Sequence, residues 1–322
     1  MSKLEKILVV VDRRMRRTGA LDRGVALARR SGAQLHLCLF DHDPLILKTA
    51  ELVSPAVSHL AKEQFLAQRR AWLQTLAATW AEQGLRVECS VVWAPLLDEA
   101  ILDRILQLGP DLVLKDVQHD PMRQHTGHTP ADLRLLRHAP APIMMVRSTA
   151  RYLPRRIAAA VDLDPTSPSA RALNHAVVEA ALALGRDCEA EVHLLRVEVP
   201  YIAPNPESLP LYEAYADLLQ ADREAFHHIC AGHEVDLTRR HLLEGEPVTE
   251  LTRFAQRMDI DVMVLGATYR SDIDRFLLGS TTEGVLADVD CDVLLVKAAD
   301  FRALLGQHLD LRSLHQRQLA AA

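Results

Sequence analysis

No stretch of this chain approaches the roughly 18 consecutive apolar residues that a membrane-spanning helix requires. Long Lys/Arg runs are missing as well, and a formal net charge of −6 leaves no electrostatic footprint for nucleic acid or an anionic membrane surface. Neither nucleic acid nor membrane is therefore expected as a partner. Cysteine is sparse and scattered. Cys38, Cys89, Cys188, Cys230 and Cys291 include no C-x-x-C pair, which is the usage of buried free thiols in a reducing compartment. The N-terminal MSKLEKILVVVDRR has only a short apolar core and no small-residue cleavage site, so a cytoplasmic location is expected. No G-x-S-x-G elbow, H-E-x-x-H pair or G-x4-G-K-S/T loop is present, and catalysis is the weaker hypothesis. Aromatics make up only 4% of the residues, leaving Leu, Val, Ile and Ala to build the interior.

What is there is repetition. The 322 residues, 49% hydrophobic and 25% charged, suit about two soluble domains. A shift of 150 residues lays Ile7–Asp12 on Ile157–Asp162, both apolar strands ending in Asp. The same shift lays Asp111-Leu112-Val113-Leu114 on Asp261-Val262-Met263-Val264, and 142–146 on 292–296, without a gap. A one-residue adjustment aligns Ala94-Pro95 with Gly245-Glu246-Pro247. Short apolar strands alternate with helical periodicities in each copy, the pattern of a parallel sheet covered on both faces. Strands are expected near 7–11, 35–40, 86–93, 111–115 and 142–146, and again near 157–161, 191–197, 235–243, 261–265 and 292–296. The expected units are 1–150, 151–298 and a tail, 299–322, carrying Leu304, Leu305 and Leu309 at helical spacing. Trp72 and Trp80, spaced with Phe65 and Leu76, read as core or an inter-domain face. The last strand of each copy would be an exposed edge, so the two are expected to cover one another as an internal pseudo-dimer.

Functional signals gather where strands end. Gly266 closes an apolar run and offers backbone freedom, while amides around Gly279, Ser280 and Thr281 could open an anion-attracting helix N-terminus. Tyr269 interrupts that pattern with a large side chain. A purely structural reading of the same stretch makes Ser280 a helix cap with Glu283 closing a capping box. Asp162 and Asp12 read equally as turn carboxylates accepting local amides. Arg13, Arg14, Arg16 and Arg17 crowd the first strand's exit, either as an anion site or as a solvated loop paired with nearby acids. His119, His125 and His128 with Asp120 lie in a Pro/Gly-containing loop without a cysteine, which argues against zinc.

Asp162, the Gly266-x2-Tyr269-x9-Gly279-Ser280 loop and the closing Cys291–Val296 strand resemble the universal stress protein family, and the doubled pattern resembles its tandem, E-type members. That resemblance covers roughly residues 4–298. It implies two Rossmann-like α/β domains of the adenine nucleotide alpha hydrolase-like kind, each a five-stranded parallel sheet with helices on both faces. It also implies a stress-response binding and signalling module rather than a catalyst. In the family's ATP-binding class, marked by G-x2-G-x9-G-S/T, the matching residues here are Asp162 facing the nucleoside, Gly266 as first glycine, and Gly279-Ser280 with Thr281 at the phosphates. Tyr269 stands where that class has glycine. ATP, accompanied by Mg, is thus expected in repeat 2 only, with unidentified protein partners and a homodimer left open. In repeat 1 the matching residues are Asp116, His119, Thr129 and Pro130, which oppose an anion through charge and a missing amide. A ligand-free or apolar-ligand interaction scaffold is the first rival reading, and a slow nucleotide hydrolase the second.

Overall fold

The computed structural model describes residues 4–46, 48, 54–117, 130–147, 151–162, 168–200, 209–267, 269–270, 275–276, 278–298 and 301. Repeat 1 contributes strands β1 (Lys6–Val11), β2 (Gln34–Asp41), β3 (Val87–Trp93), β4 (Leu112–Asp116) and β5 (Ile143–Val146). Helices α1 (Gly19–Ser31), α2 (Pro55–Ala81), α3 (Leu97–Leu108) and α4 (Pro130–His138) alternate with them. Repeat 2 follows with β6 (Arg156–Ala160), α5 (Pro168–Cys188), β7 (Glu191–Glu198), α6 (Leu209–Gly232), β8 (Arg240–Glu244), α7 (Pro247–Arg257) and β9 (Val262–Ala267). It ends with a two-residue-per-strand hairpin, β10 (Tyr269–Arg270) and β11 (Arg275–Phe276), then α8 (Ser280–Asp288) and β12 (Asp292–Lys297).

Ten of these strands form one sheet in the order β3-β2-β1-β4-β5-β12-β9-β6-β7-β8. Within this sheet every ladder inside a repeat is parallel, and the seam between β5 and β12 is antiparallel, pairing Met144 with Leu294. The expected mutual coverage of the two last strands is therefore achieved by direct backbone pairing. The repeat is visible in detail. Asp111 accepts the amides of Glu5 and Lys6, and Asp261 accepts those of Arg155 and Arg156, so each carboxylate pins the start of its own first strand. After the third strand, the Ala94 and Gly245 amides donate to the backbone carbonyls of Asp41 and Glu198, a second pair of matching bonds.

Burial on both faces explains the β-branched runs of the central strands. One core runs under α1, α2, α5 and α6 and includes Leu21, Trp80, Val177 and Phe226. The other runs under α3, α4, α7 and α8 and includes Ile105, Leu136, Phe254 and Val285. Both cores cross the seam, and Trp80 is core while Trp72 packs beside it. Reciprocal side chains brace the junction: Arg147 Nη2 donates to the Leu286 carbonyl at 2.5 Å, and Lys297 Nζ donates to the Ala139 carbonyl at 2.6 Å. Burial holds the Lys297 amine well below its ordinary pKa.

Two sequence expectations need correction. The third strand of repeat 2 begins at Arg240 rather than near 235, because Leu237–Arg239 wind a 3-10 turn capped by Asp236, which accepts the Thr238 amide at 2.8 Å. The hairpin β10–β11 was not anticipated at all. The His119–His128 loop and the tail's Leu304, Leu305 and Leu309 lie outside the described residues.

Candidate functional site

In a doubly wound sheet the crevice opens beyond the carboxyl ends of the strands where the chain order reverses. Here that point falls between β6 and β9 in repeat 2, and between β1 and β4 in repeat 1. A cleft lies at each.

The repeat 2 cleft has a volume of about 620 Å³ and is lined by Asp162, Gly266, Gly279, Ser280 and Thr281, five of the six residues singled out from the sequence. Tyr269 has its backbone in β10, and its side chain lies outside what is described. The first turn of α8 forms one wall. Gly279, not Ser280, is its N-cap, with φ −62° and ψ 151°, and Ser280 is the first helical residue. The expected capping box is absent, and Glu283 instead pairs with Arg137 across the repeats at 2.7 Å. The first-turn amides of a helix have no intrahelical acceptor, so those of α8 remain available to a ligand. Among the described residues nothing stands within 4 Å of where a Gly279 Cβ would lie, which leaves room beside them. The Thr282 hydroxyl donates to the Gly266 carbonyl at 3.2 Å, holding helix and strand end together.

Gly266 itself has a different reason from the one expected. It is absent from the positive-φ residues; instead a Cβ there would come within 2.8 Å of Leu173 on α5. Glycine at this position lets the helix close on the strand.

Asp162 sits at the cleft rim with its side chain 91% exposed, ion-paired to Arg196 of β7 at 2.9 Å. Its backbone is held on both sides by Asn174, whose Oδ1 accepts the Asp162 amide and whose Nδ2 donates to the Asp162 carbonyl. Arg196 also reaches Asp222 of α6 at 2.7 Å. Asn174, Arg196 and Asp222 were missed in the sequence. The one available signal was Arg196, a lone cation inside the apolar run of β7.

The repeat 1 cleft, about 530 Å³, is built differently. Asp116, at the position of Gly266, accepts the Ala20 amide at 2.9 Å and the Thr18 hydroxyl, so a carboxylate of the chain itself caps α1. Burial pushes its pKa up against those two hydrogen bonds. Beside it Lys115 and Asp132 form a buried ion pair at 2.6 Å. Asp12 behaves as a turn carboxylate, accepting the Arg14 amide at 3.1 Å and the Arg16 guanidinium at 2.8 Å. Arg17 pairs with Asp22, which leaves Arg13 and Arg14 as the cations of this loop without a salt-bridge partner among the described residues.

The fold and these clefts define a fused pair of Rossmann-like domains joined edge to edge, with one ligand-type crevice per domain. The Universal stress protein family matches the chain twice, over residues 3–147 and 154–297. The chain belongs to that family, as a tandem member of the E type. It is 28% identical over 314 residues to Universal stress protein E of Escherichia coli K12, covering 94% of this chain and 96% of that one. The protein of the same name from Salmonella typhi is 27% identical, with 94% and 97% covered. Among solved structures, a protein of unknown function from Pseudomonas aeruginosa PAO1 superposes with a TM-score of 0.74 at 23% identity, covering 95% of this chain and 98% of that chain. That likeness speaks to the fold. No helix among the described residues is long and apolar enough to cross a membrane.

Proposed function

We propose that this chain is a stress-response binding and signalling module whose second repeat holds an adenine nucleotide, ATP in the first instance, while the first repeat is a structural partner. The supporting observation is the cleft in which Asp162, Gly266 and the open first turn of α8 meet. Phosphate oxygens would accept from the amides of Ser280 and Thr281, where the helix dipole adds to the attraction. The space beside Gly279 suits a bulky anion, whereas repeat 1 presents Pro130 at its matching helix start and a carboxylate at Asp116. Among the described residues no cluster of three or more His, Cys, Asp or Glu could hold a metal, so Mg would arrive on the phosphates. The five scattered cysteines, free among the described residues, suit a reducing compartment, and the same reading places this chain in the cytoplasm.

Calorimetry of the full chain with ATP tests this. A few charge-assisted amide bonds of roughly 1.5–3 kcal/mol each are enough for micromolar affinity. Ser280→Pro removes one amide yet suits the first helical position, and Gly279 already has the extended backbone that a following proline demands. Its expected effect is a loss of roughly tenfold or more in affinity, the worth of one such bond. Tyr269→Gly should bind at least as tightly as wild type. No binding by either the wild type or Tyr269→Gly would overturn the nucleotide reading.

A further inference from the structure

The repeat 2 cleft contains two buried polar atoms with no hydrogen-bond partner among the described residues: Asp222 Oδ1, an acceptor, and Arg196 Nε, a donor. Asp222 is only 5% exposed. Its other oxygen is held by Arg196 Nη2 at 2.7 Å, and Arg196 Nη1 is held by Asp162 at 2.9 Å, so both side chains are fixed in place. An unpartnered buried carboxylate oxygen is costly. A pair so arranged offers a polar ligand one acceptor and one donor side by side.

Their place in the sheet says which end of the ligand they meet. The α8 amides stand over the end of β9, and Arg196 lies on β7, with β6 between. Two strand spacings separate them, on the order of 10 Å. A nucleotide anchored by its phosphates at α8 therefore brings its base, not its ribose, toward Asp222. The surroundings agree: Leu218, one turn before Asp222 on α6, and Val199 line the same cleft while 43% and 49% exposed, an apolar wall left open to solvent. Such a wall suits the face of a flat ring.

We propose that Asp222, aligned by Arg196, is the specificity-determining residue of this site and recognises the amino group of the base. The inference rests on the nucleotide reading given above. Adenine carries an N–H donor on its 6-amino group beside the acceptor N1, which complements Asp222 Oδ1 and Arg196 Nε. Hypoxanthine reverses both, placing a carbonyl oxygen against the carboxylate and an N–H against the guanidinium. A site built to bond a donor rejects the analogue lacking it, because its own polar groups are then left unpaired.

The test compares ATP with ITP, the 6-oxo analogue, on the intact chain by calorimetry. Wild type should bind ATP at least tenfold more tightly. Asp222→Asn, whose amide can present either a donor or an acceptor, should bring the ratio close to one. The ratio is taken within one protein, so a general loss of stability or affinity cancels. If the Asn variant binds neither nucleotide, Asp222→Ser, with a hydroxyl that both donates and accepts, should likewise bind the two alike. Equal affinities in wild type, or a preference that survives both substitutions, would overturn the role of Asp222 while leaving the nucleotide site standing. Wild type that binds neither compound would remove the nucleotide reading, and this inference with it.

Discussion

The two clefts share a frame and differ in what closes it. At the end of β4 Asp116 reaches across to cap α1, and at the end of β9 Gly266 makes room for Leu173. On α4 Asp132 forms a buried ion pair with Lys115, and at the matching place on α8 Thr282 simply bonds the Gly266 carbonyl. Repeat 1 thus satisfies its strand ends and helix start with its own charged groups. Repeat 2 uses small and neutral groups there, and among the described residues no side chain caps α8. A duplicated domain can keep its architecture through backbone pairing while one copy turns the ligand's contacts into internal ones.

The largest expected effect comes from a feature the repeats do not share. Arg23 on α1 and Asp292 on β12 form a buried cross-repeat pair at 3.0 Å, only 2% and 0% exposed, and the repeat 1 residue matching Asp292 is Pro142. Asp292 also accepts the Arg147 amide at 2.8 Å. Asp292→Asn keeps an acceptor for that amide but leaves the Arg23 cation uncompensated, and should cost about 3–5 kcal/mol in urea denaturation. Adding Arg23→Met should recover much of the loss, since an apolar replacement of a buried pair is often close to neutral. A negligible cost for Asp292→Asn would mean that the seam does not depend on this buried pair.

Next in size is the contrast between matching positions 116 and 266. Gly266→Ala drives a Cβ to 2.8 Å from Leu173 and should cost about 1–3 kcal/mol through overpacking. Asp116→Ala removes an N-terminal cap and should cost roughly 1 kcal/mol. The first cost should shrink in a Leu173→Ala background, and thermal melts of the single and double variants measure that coupling. Full additivity would show that Leu173 is not what keeps position 266 small.

These residues also show how far the sequence could be read. Nine of the ten sheet strands lie close to their expected bounds, six of them in the three pairs that the gapless shift aligned, where a doubled apolar pattern carries twice the signal of one. The late start of β8 was hidden because Leu237 continues an apolar rhythm that the Asp236 cap in fact breaks. Gly266 was found but misread: its reason is Leu173, a contact made through space that no local spacing announces. The Ser-x-x-Glu spacing at 280–283 suggested a capping box, yet the helix starts one residue earlier in the cap register and Glu283 is drawn to Arg137. Asn174, Arg196 and Asp222 come from three separate elements, so only the folded chain brings them together.

The smallest expected difference is one of pH. His36 and His193 occupy matching sites, paired in register with Leu8 and Ala158 on the first strands. Burial lowers the pKa of each. In repeat 1 the Glu88 carboxylate lies 3.2 Å from His36 Nδ1 and opposes the shift, against Arg104 and Lys6. In repeat 2 His193 faces His241 at 3.0 Å; Glu191 is 4.0 Å away, and Arg239 and Arg156 add positive charge. His241 is lowered too, by burial, by His193 and by Arg257. A histidine whose folded pKa is depressed gives its full stability above the ordinary value of 6.5, and that stability is lost as pH falls toward the folded pKa, because the unfolded chain takes up the proton first. Two such residues act at the outer strands of repeat 2 and one compensated residue acts in repeat 1. Between about pH 7 and 5, amide exchange corrected for intrinsic rate should therefore rise more in β7 and β8 than in β2 and β3. His241→Asn should reduce that difference, and equal acid sensitivity of the two edges would show that the paired imidazoles carry no extra cost.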